Sequence, residues 1–198
     1  MQPLTYHRAS TVNEAIELLR DGGENARVLA GGTDIIVQAR ERVREVDRLV
    51  DIKHIPEVMA FSYSSTDGLS IGAATPVYLL YNDDDIKTHY PALVEAMTVI
   101  GGTAIQGRAS LGGNLGNSGP AGDSLTAMMV QGAVAHIAGP NGARNVPVAE
   151  FFTGPSRNIL ELGEFVITIS FPTPAADSGA AWQRFIPRNE MDIAIAGV

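Results

Sequence analysis

The 198-residue sequence contains no cysteine. This excludes disulfide bonds, and it excludes iron–sulfur clusters ligated by this chain, because such clusters are held by cysteine thiolates. Chains without disulfides are typical of reducing compartments. The segment Met1-Gln2-Pro3-Leu4-Thr5-Tyr6-His7 has no basic start followed by an apolar run, as a signal peptide would have. We therefore expect a cytoplasmic protein without a signal peptide.

Positive charge and long apolar runs are also scarce. The chain has 14 Lys and Arg residues against 22 Asp and Glu residues, a net charge of −8. A nucleic-acid partner is therefore not expected, because it requires a basic face. No apolar run reaches the roughly 18 residues of a membrane helix, so no membrane span is predicted. The four histidines are isolated, and no metal site is predicted from them: His7, His54, His89 and His136.

Glycine, in contrast, is abundant and clustered. It accounts for 21 of the 198 residues, above the share of about 7% that is usual in globular proteins. Clustered glycines in a folded domain indicate that the backbone must approach another group closely. The glycine clusters are therefore the first candidates for a binding site.

The first cluster is Ala30-Gly31-Gly32-Thr33-Asp34, between a predicted strand (27–30) and a predicted helix (35–44). A helix N-terminus offers free N–H groups and a favourable dipole to a diphosphate, and glycines leave room for that ligand. Thr33 adds a hydroxyl donor, and Asp34 is expected to cap the helix. The loop alone supports a ligand-free tight turn equally well. Neither the dinucleotide-binding pattern G-x-G-x-x-G nor the P-loop pattern occurs.

The second cluster favours a binding site over a ligand-free turn. It begins with Ser110-Leu111-Gly112-Gly113-Asn114, inside a long glycine-rich stretch (101–122) with little that could build a core. Long irregular loops in compact domains are usually functional or disordered. The apolar helices predicted on either side, 91–100 and 123–130, favour an ordered and functional loop. Together the two clusters predict a paired cradle for one dinucleotide.

The remaining pattern predicts an α+β fold. Residues 1–57 alternate strands and helices and are expected to form a small α/β lobe. Residues 58–176 are expected to form a larger lobe with a mostly antiparallel sheet, since Asn141-Gly142 is a strong hairpin signal. Residues 180–185 are predicted as a strand. Residues 177–198 are interpreted as the start of a further domain, and the apolar end 192–198 favours a truncated chain.

The two motifs 29–35 and 110–115 resemble those of the FAD-binding subunit, or middle domain, of the molybdenum hydroxylases. That family includes xanthine dehydrogenase, aerobic carbon monoxide dehydrogenase and nicotinate dehydrogenase. Weaker matches extend along the chain, at 49–52, 71–73, 151–155 and 188–194. The resemblance implies a two-lobed, PCMH-type FAD domain of the kind found in vanillyl-alcohol oxidase and in cell-wall enolpyruvyl reductases. It also implies a third, C-terminal domain that is missing here.

The resemblance further implies a set of cofactor-binding residues. Asp123 is expected to hold a polar part of FAD, Ile100 to pack near the ring or the adenine, and Trp182 and Arg184 to lie near the flavin. Gln106 stands where the family usually has arginine, which implies the loss of a charge near the cofactor. The residues expected around the diphosphate are Val28, Leu29, Ala30, Gly31, Gly32, Thr33, Asp34, Ile35, Ser110, Leu111, Gly112, Gly113 and Asn114.

The implied function is electron transfer, with no catalytic side chain from this chain. Electrons would leave a molybdenum centre on a molybdopterin-binding large subunit and cross 2Fe-2S clusters on a small subunit. They would then reach FAD on this chain and pass to NAD, oxygen or a quinone. Two alternatives remain: a self-contained FAD oxidase or reductase of the same fold, and a non-catalytic flavin-binding or assembly module.

Overall fold

The computed structural model describes residues 3–189 and 191–198. Its α-helices within those residues are α1 (Val12–Asp21), α2 (Ile35–Arg40), α3 (Val77–Leu80), α4 (Asp84–His89), α5 (Pro91–Thr98), α6 (Thr103–Gln106), α7 (Leu111–Asn117) and α8 (Asp123–Val130). Its strands are β1 (Thr5–Arg8), β2 (Ala26–Leu29), β3 (Arg48–Asp51), β4 (Phe61–Ser64), β5 (Gly68–Gly72), β6 (Val134–Gly139), β7 (Gly142–Pro147), β8 (Phe152–Gly154), β9 (Arg157–Asn158), β10 (Phe165–Phe171), β11 (Arg184–Phe185) and β12 (Ala196–Gly197).

The first sheet is parallel, with the strand order β1-β3-β2. Helix α1 connects β1 to β2, and its first turn is held by Thr11, whose hydroxyl accepts a hydrogen bond from the Glu14 N–H. The register pairs Leu29 of β2 with Asp51 of β3. The segments that follow these two strands therefore lie side by side, and one of them is the first glycine cluster.

The second sheet is antiparallel, with the strand order β4-β5-β10-β6-β7. The hairpin between β6 and β7 turns at Gly142, whose φ of +106° suits glycine. Helices α3, α5, α7 and α8 contribute to one hydrophobic core with this sheet, in which Leu93, Leu111 and Ile169 are fully buried. The predicted antiparallel character is confirmed.

The glycine-rich stretch 101–122 is not the irregular loop that its composition predicts, because it contains α6 and α7. Ser110 caps α7 by accepting a hydrogen bond from the Gly113 N–H. Glycine is a poor helix former, but a Cβ atom on Gly112 would lie 2.4 Å from the Cβ of Ala73. Close packing against Ala73 therefore explains glycine at this position of the helix.

Three other local expectations are wrong. Helix α2 ends at Arg40 rather than at residue 44, since Arg42 has a φ of +58° that cannot continue a helix. Asp34 makes no side-chain capping bond to α2. The strand predicted over 180–185 is limited to Arg184–Phe185, which pairs with the short β12.

The first sheet lies within residues 1–57 and the second within 58–176, whereas the domain boundaries themselves stay a prediction. Among the residues that the structure describes, no helix is both long and apolar enough to cross a membrane.

Candidate functional site

A groove runs past both glycine clusters. One cavity of about 640 Å³ is lined by the first cluster and by the face of α7 that carries Gly113 and Gly116. A second cavity of about 610 Å³ continues towards Ile100 and Asp123. The two cavities share four lining residues: Thr33, Asp34, Asn114 and Asn117. They therefore form one continuous groove with the two clusters at its middle.

The first cluster supplies free backbone donors at this midpoint. The N–H groups of residues 31–34 donate no hydrogen bond to any residue that the structure describes. Gly32 has a φ of +86°, a conformation that glycine adopts at little cost. Burial raises the pKa of the Asp34 carboxyl, so its charged form is disfavoured beside the groove. The turn is thus suited to an anionic group.

The reason for the glycines differs from the expectation that they leave room for a ligand. A Cβ atom on Gly31 would lie 2.1 Å from the carbonyl oxygen of Arg108, and Gly112 meets Ala73 in a similar way. These two glycines therefore allow two chain segments to pack together. Gly116 is different, because it lines the groove and its added Cβ would meet no atom within 4 Å.

The second cluster offers fewer free backbone donors than its sequence implies. The Gly112 N–H donates to the carbonyl of Ala73 at 3.1 Å, and the Gly113 N–H donates to Ser110 Oγ at 3.1 Å. Asn114 Nδ2 donates to Ser124 Oγ at 3.0 Å. Asn117 Oδ1 accepts from Gln38 Nε2 at 2.9 Å. This wall of the groove therefore presents ordered side-chain amides.

Asp123 and Arg184 form an ion pair at 3.2 Å, with side chains 13% and 11% exposed. Burial raises the pKa of Asp123, and the neighbouring Arg184 guanidinium only partly opposes this shift. Helix α8 has Gly122 as its N-cap, without a side-chain capping bond. The Asp123 carboxylate lines the second cavity while paired with Arg184.

Most of the predicted cofactor-binding residues line the groove, but four do not. Leu29, Leu111 and Trp182 are buried in hydrophobic cores, and Arg184 lies behind Asp123. The predicted residues that do line it are Val28, Ala30, Gly31, Gly32, Thr33, Asp34, Ile35, Ile100, Ser110, Gly112, Gly113, Asn114 and Asp123. Their individual roles towards a cofactor stay predictions.

Gln106 does not line the groove either. It is buried, its Nε2 donates to the Thr98 carbonyl at 2.8 Å, and its Oε1 accepts from the Tyr81 hydroxyl at 3.0 Å. Both the nitrogen and the oxygen of the Gln106 amide therefore have a hydrogen-bond partner in the interior. Its neighbour Arg108, in contrast, donates from Nε to the carbonyl of Gly31 in the first cluster.

Sequence reasoning missed the charged side chains of the larger cavity, which is lined by Arg27 and Arg44 together with Glu24, Glu161 and Glu164. Arg27 Nε is buried without a hydrogen-bond partner. Burial lowers the pKa of Arg27, and the charge of Arg44 lowers it further. Arg27 was the available signal, because it is a charged residue within a short, otherwise apolar strand that leads into the glycine turn.

Comparison with known proteins identifies the family. Residues 2–174 match the model of the FAD-binding domain in molybdopterin dehydrogenase. The chain belongs to this family. The expectation drawn from the two glycine motifs is thereby confirmed, and so is FAD as the cofactor of the domain.

Individual relatives of this chain support the same family. The xanthine dehydrogenase FAD-binding subunit of Escherichia coli O157:H7 is 36% identical over 194 residues, which cover 98% of this chain and 66% of that protein. The chain thus spans less than two thirds of that relative's length. Reconstituted CO dehydrogenase from Oligotropha carboxidovorans has a matching chain with a TM-score of 0.93 and 31% identity, covering 100% of this chain and 69% of that one.

A more distant structure shares the fold alone. UDP-N-acetylenolpyruvylglucosamine reductase from Thermus caldophilus matches with a TM-score of 0.52 and 18% identity, covering 86% of this chain and 57% of that one. This match shows the expected similarity in fold to one cell-wall enolpyruvyl reductase.

The groove fits the FAD-binding role of the family. FAD has a diphosphate at its centre and a long arm on either side. The described groove has two cavities that meet at the unpartnered N–H groups of residues 31–34. A diphosphate at this midpoint would find free backbone donors near the N-terminus of α2.

Proposed function

We propose that this chain is the FAD-binding, electron-transferring part of a molybdenum-containing hydroxylase or dehydrogenase. The family match over residues 2–174 supports this proposal, together with the groove whose midpoint carries the free donors of the first glycine cluster. Bound FAD supplies the redox chemistry. The protein contributes position, electrostatics and exclusion of water.

The proposed partners are a molybdopterin-binding large subunit and a small subunit that carries 2Fe-2S clusters. Electrons would arrive from the iron–sulfur subunit and leave to NAD, oxygen or a quinone. The cysteine-free sequence supports this division, because this chain cannot ligate such clusters itself. The relatives named as FAD-binding subunit and as CO dehydrogenase support it as well.

The residues of the groove take specific roles in this proposal. The N–H groups of residues 31–34 hold the diphosphate, and Thr33 adds its hydroxyl. Ile100 and Asp123 contact one arm in the second cavity. Trp182 and Arg184 support the residues of this cavity without lining it, since Trp182 Nε1 donates to Thr126 and Arg184 pairs with Asp123. The two sheets correspond to the two lobes of a PCMH-type domain.

Purification of the chain with its co-expressed neighbours tests the proposal. We expect a coloured complex that contains FAD, a cysteine-rich chain and a molybdopterin-binding chain. A flavin-containing chain that oxidises a substrate without partners would favour a self-contained oxidase or reductase. A colourless chain that does not take up added FAD would contradict the proposal.

A further inference from the structure

Two cationic side chains donate hydrogen bonds to carbonyl oxygens of the first glycine cluster. Lys53 Nζ donates to the carbonyl oxygen of Ala30 at 2.9 Å. Arg108 Nε donates to the carbonyl oxygen of Gly31 at 3.2 Å. The two acceptors are consecutive in sequence. The two donors come from different parts of the chain, one just after β3 and the other just before α7. Neither cation lines the groove.

The Lys53 ammonium group is itself held in place. Its Nζ lies 2.7 Å from Asp51 Oδ1, and the residue Asp51 is only 4% exposed. The Tyr6 hydroxyl donates to the other carboxylate oxygen of Asp51 at 2.7 Å. Burial raises the pKa of Asp51, but the hydrogen bonds from Lys53 and Tyr6 outweigh it, and the net shift is downward. The carboxylate therefore stays charged and anchors the ammonium group.

Arg108 is fixed by packing. Its backbone lies directly against Gly31, because a Cβ atom there would come within 2.1 Å of the Arg108 carbonyl oxygen. The guanidinium thus reaches the Gly31 carbonyl from a segment that already contacts the loop. Lys53 and Arg108 together hold two successive peptide groups.

Fixing a carbonyl also fixes the N–H group of the same peptide. In a planar trans peptide the C=O of one residue and the N–H of the next point in opposite directions. Lys53 and Arg108 therefore set the directions of the Gly31 and Gly32 N–H groups, which have no partner among the described residues. A glycine-rich turn has wide conformational freedom. If these peptides turned over, their carbonyl oxygens would face the bound anion.

We propose that Lys53 and Arg108 are positioning residues that hold the first glycine cluster in its diphosphate-binding conformation. The proposal rests on the proposed function, since it assumes that the FAD diphosphate binds at residues 31–34. The two cations lower the cost of ordering the loop when the ligand binds, which is how preorganisation increases affinity. They act through the backbone and touch no ligand atom.

The test is the affinity of the full chain for FAD, and for ADP as a diphosphate probe, measured by calorimetry. Lys53→Met removes the ammonium and keeps most of the side-chain volume. We expect both dissociation constants to rise by about tenfold or more, the effect of losing a hydrogen bond to a charged group. Lys53→Arg keeps a cationic donor and should restore most of the affinity. Arg108→Met should weaken binding in the same direction.

Two matched controls separate positioning from stability. Thr11→Ala removes the cap of α1 at a residue that lines neither cavity, so it should lower the urea midpoint of the ligand-free chain and leave FAD affinity unchanged. Lys87→Met removes an exposed lysine that pairs with Asp84 at 3.1 Å, and it should change neither quantity.

Unchanged FAD and ADP affinity in Lys53→Met would overturn the proposal. An equal loss of affinity in Thr11→Ala would overturn it too, since lost stability alone would then explain the effect. If Lys53→Met fails to fold, Arg108→Met decides by the same criterion. A wild-type chain that binds neither FAD nor ADP would overturn the proposed function itself. This result differs from the one that overturns the positioning role alone, in which the variants bind as tightly as the wild type.

Discussion

Gly31 packs so closely against Arg108 that a Cβ atom on the glycine would lie 2.1 Å from the arginine carbonyl oxygen. This contact joins the turn after β2 to the segment before α7. The two glycine-containing segments beside the groove are therefore in direct contact.

The first prediction concerns this contact. Gly31→Ala should lower the free energy of unfolding by about 1–3 kcal/mol, the usual effect of forcing extra atoms into a packed site. Urea denaturation of the ligand-free chain measures this loss. Unchanged stability, with only FAD binding lost, would show that the position is reserved for the ligand and not for packing.

The second prediction concerns Gly116, which lines the groove with open space in front of it. Gly116→Leu should raise the stability of the ligand-free chain by up to about 1 kcal/mol, because leucine is the better helix former. The same change should lower FAD affinity by about tenfold or more, since a loss of about 1.4 kcal/mol of ligand contacts is a factor of ten.

Gly107→Leu is the matched control for Gly116→Leu. Gly107 follows α6, lines neither cavity and has no atom nearer than 3.8 Å to its added Cβ. FAD affinity should therefore be unchanged in this variant. If Gly107→Leu weakened FAD binding as much as Gly116→Leu, the effect could not be assigned to the groove.

The third prediction concerns the cap of α7. Ser110→Ala removes the oxygen that accepts the Gly113 N–H at 3.1 Å. The free energy of unfolding should fall by about 1 kcal/mol, as for other lost helix caps. Thermal or urea denaturation checks this value, and Ser110→Thr, which keeps the hydroxyl, should recover most of it. An unchanged midpoint for Ser110→Ala would argue against the cap.

The fourth prediction concerns pH. The folded-state pKa of Asp51 lies below its unfolded value, so the folded state binds this proton less tightly than the unfolded state. The contribution of Asp51 is therefore fully present above the unfolded value of about 3.9 and is lost as pH falls through the lower, folded value. The slope of stability against pH in this acidic range should be smaller in Asp51→Asn than in wild type. Equal slopes would contradict the shift.

Part of this fold and site could be predicted from sequence because the signals are local. The Asn141-Gly142 turn specifies the hairpin between β6 and β7 through its immediate neighbours. The family resemblance carried by the glycine motifs also indicated FAD correctly.

The rest depends on distant contacts. Helix α7 contains three glycines, which sequence rules disfavour in a helix, and one of them, Gly112, is explained only by its packing against the distant Ala73. Lys53 reaches Ala30, 23 residues earlier, only because β2 and β3 pair in the observed register. Local patterns contain no information on that register, so the two cations that bond to the first glycine cluster could not be predicted.

The most direct measurement of the central claim is a titration of the ligand-free chain with FAD, followed by flavin fluorescence, with ADP as competitor. FAD should bind saturably, and ADP should displace it, because both diphosphates would occupy the free N–H groups of residues 31–34. The absence of saturable FAD binding, or FAD binding that excess ADP does not affect, would contradict the account.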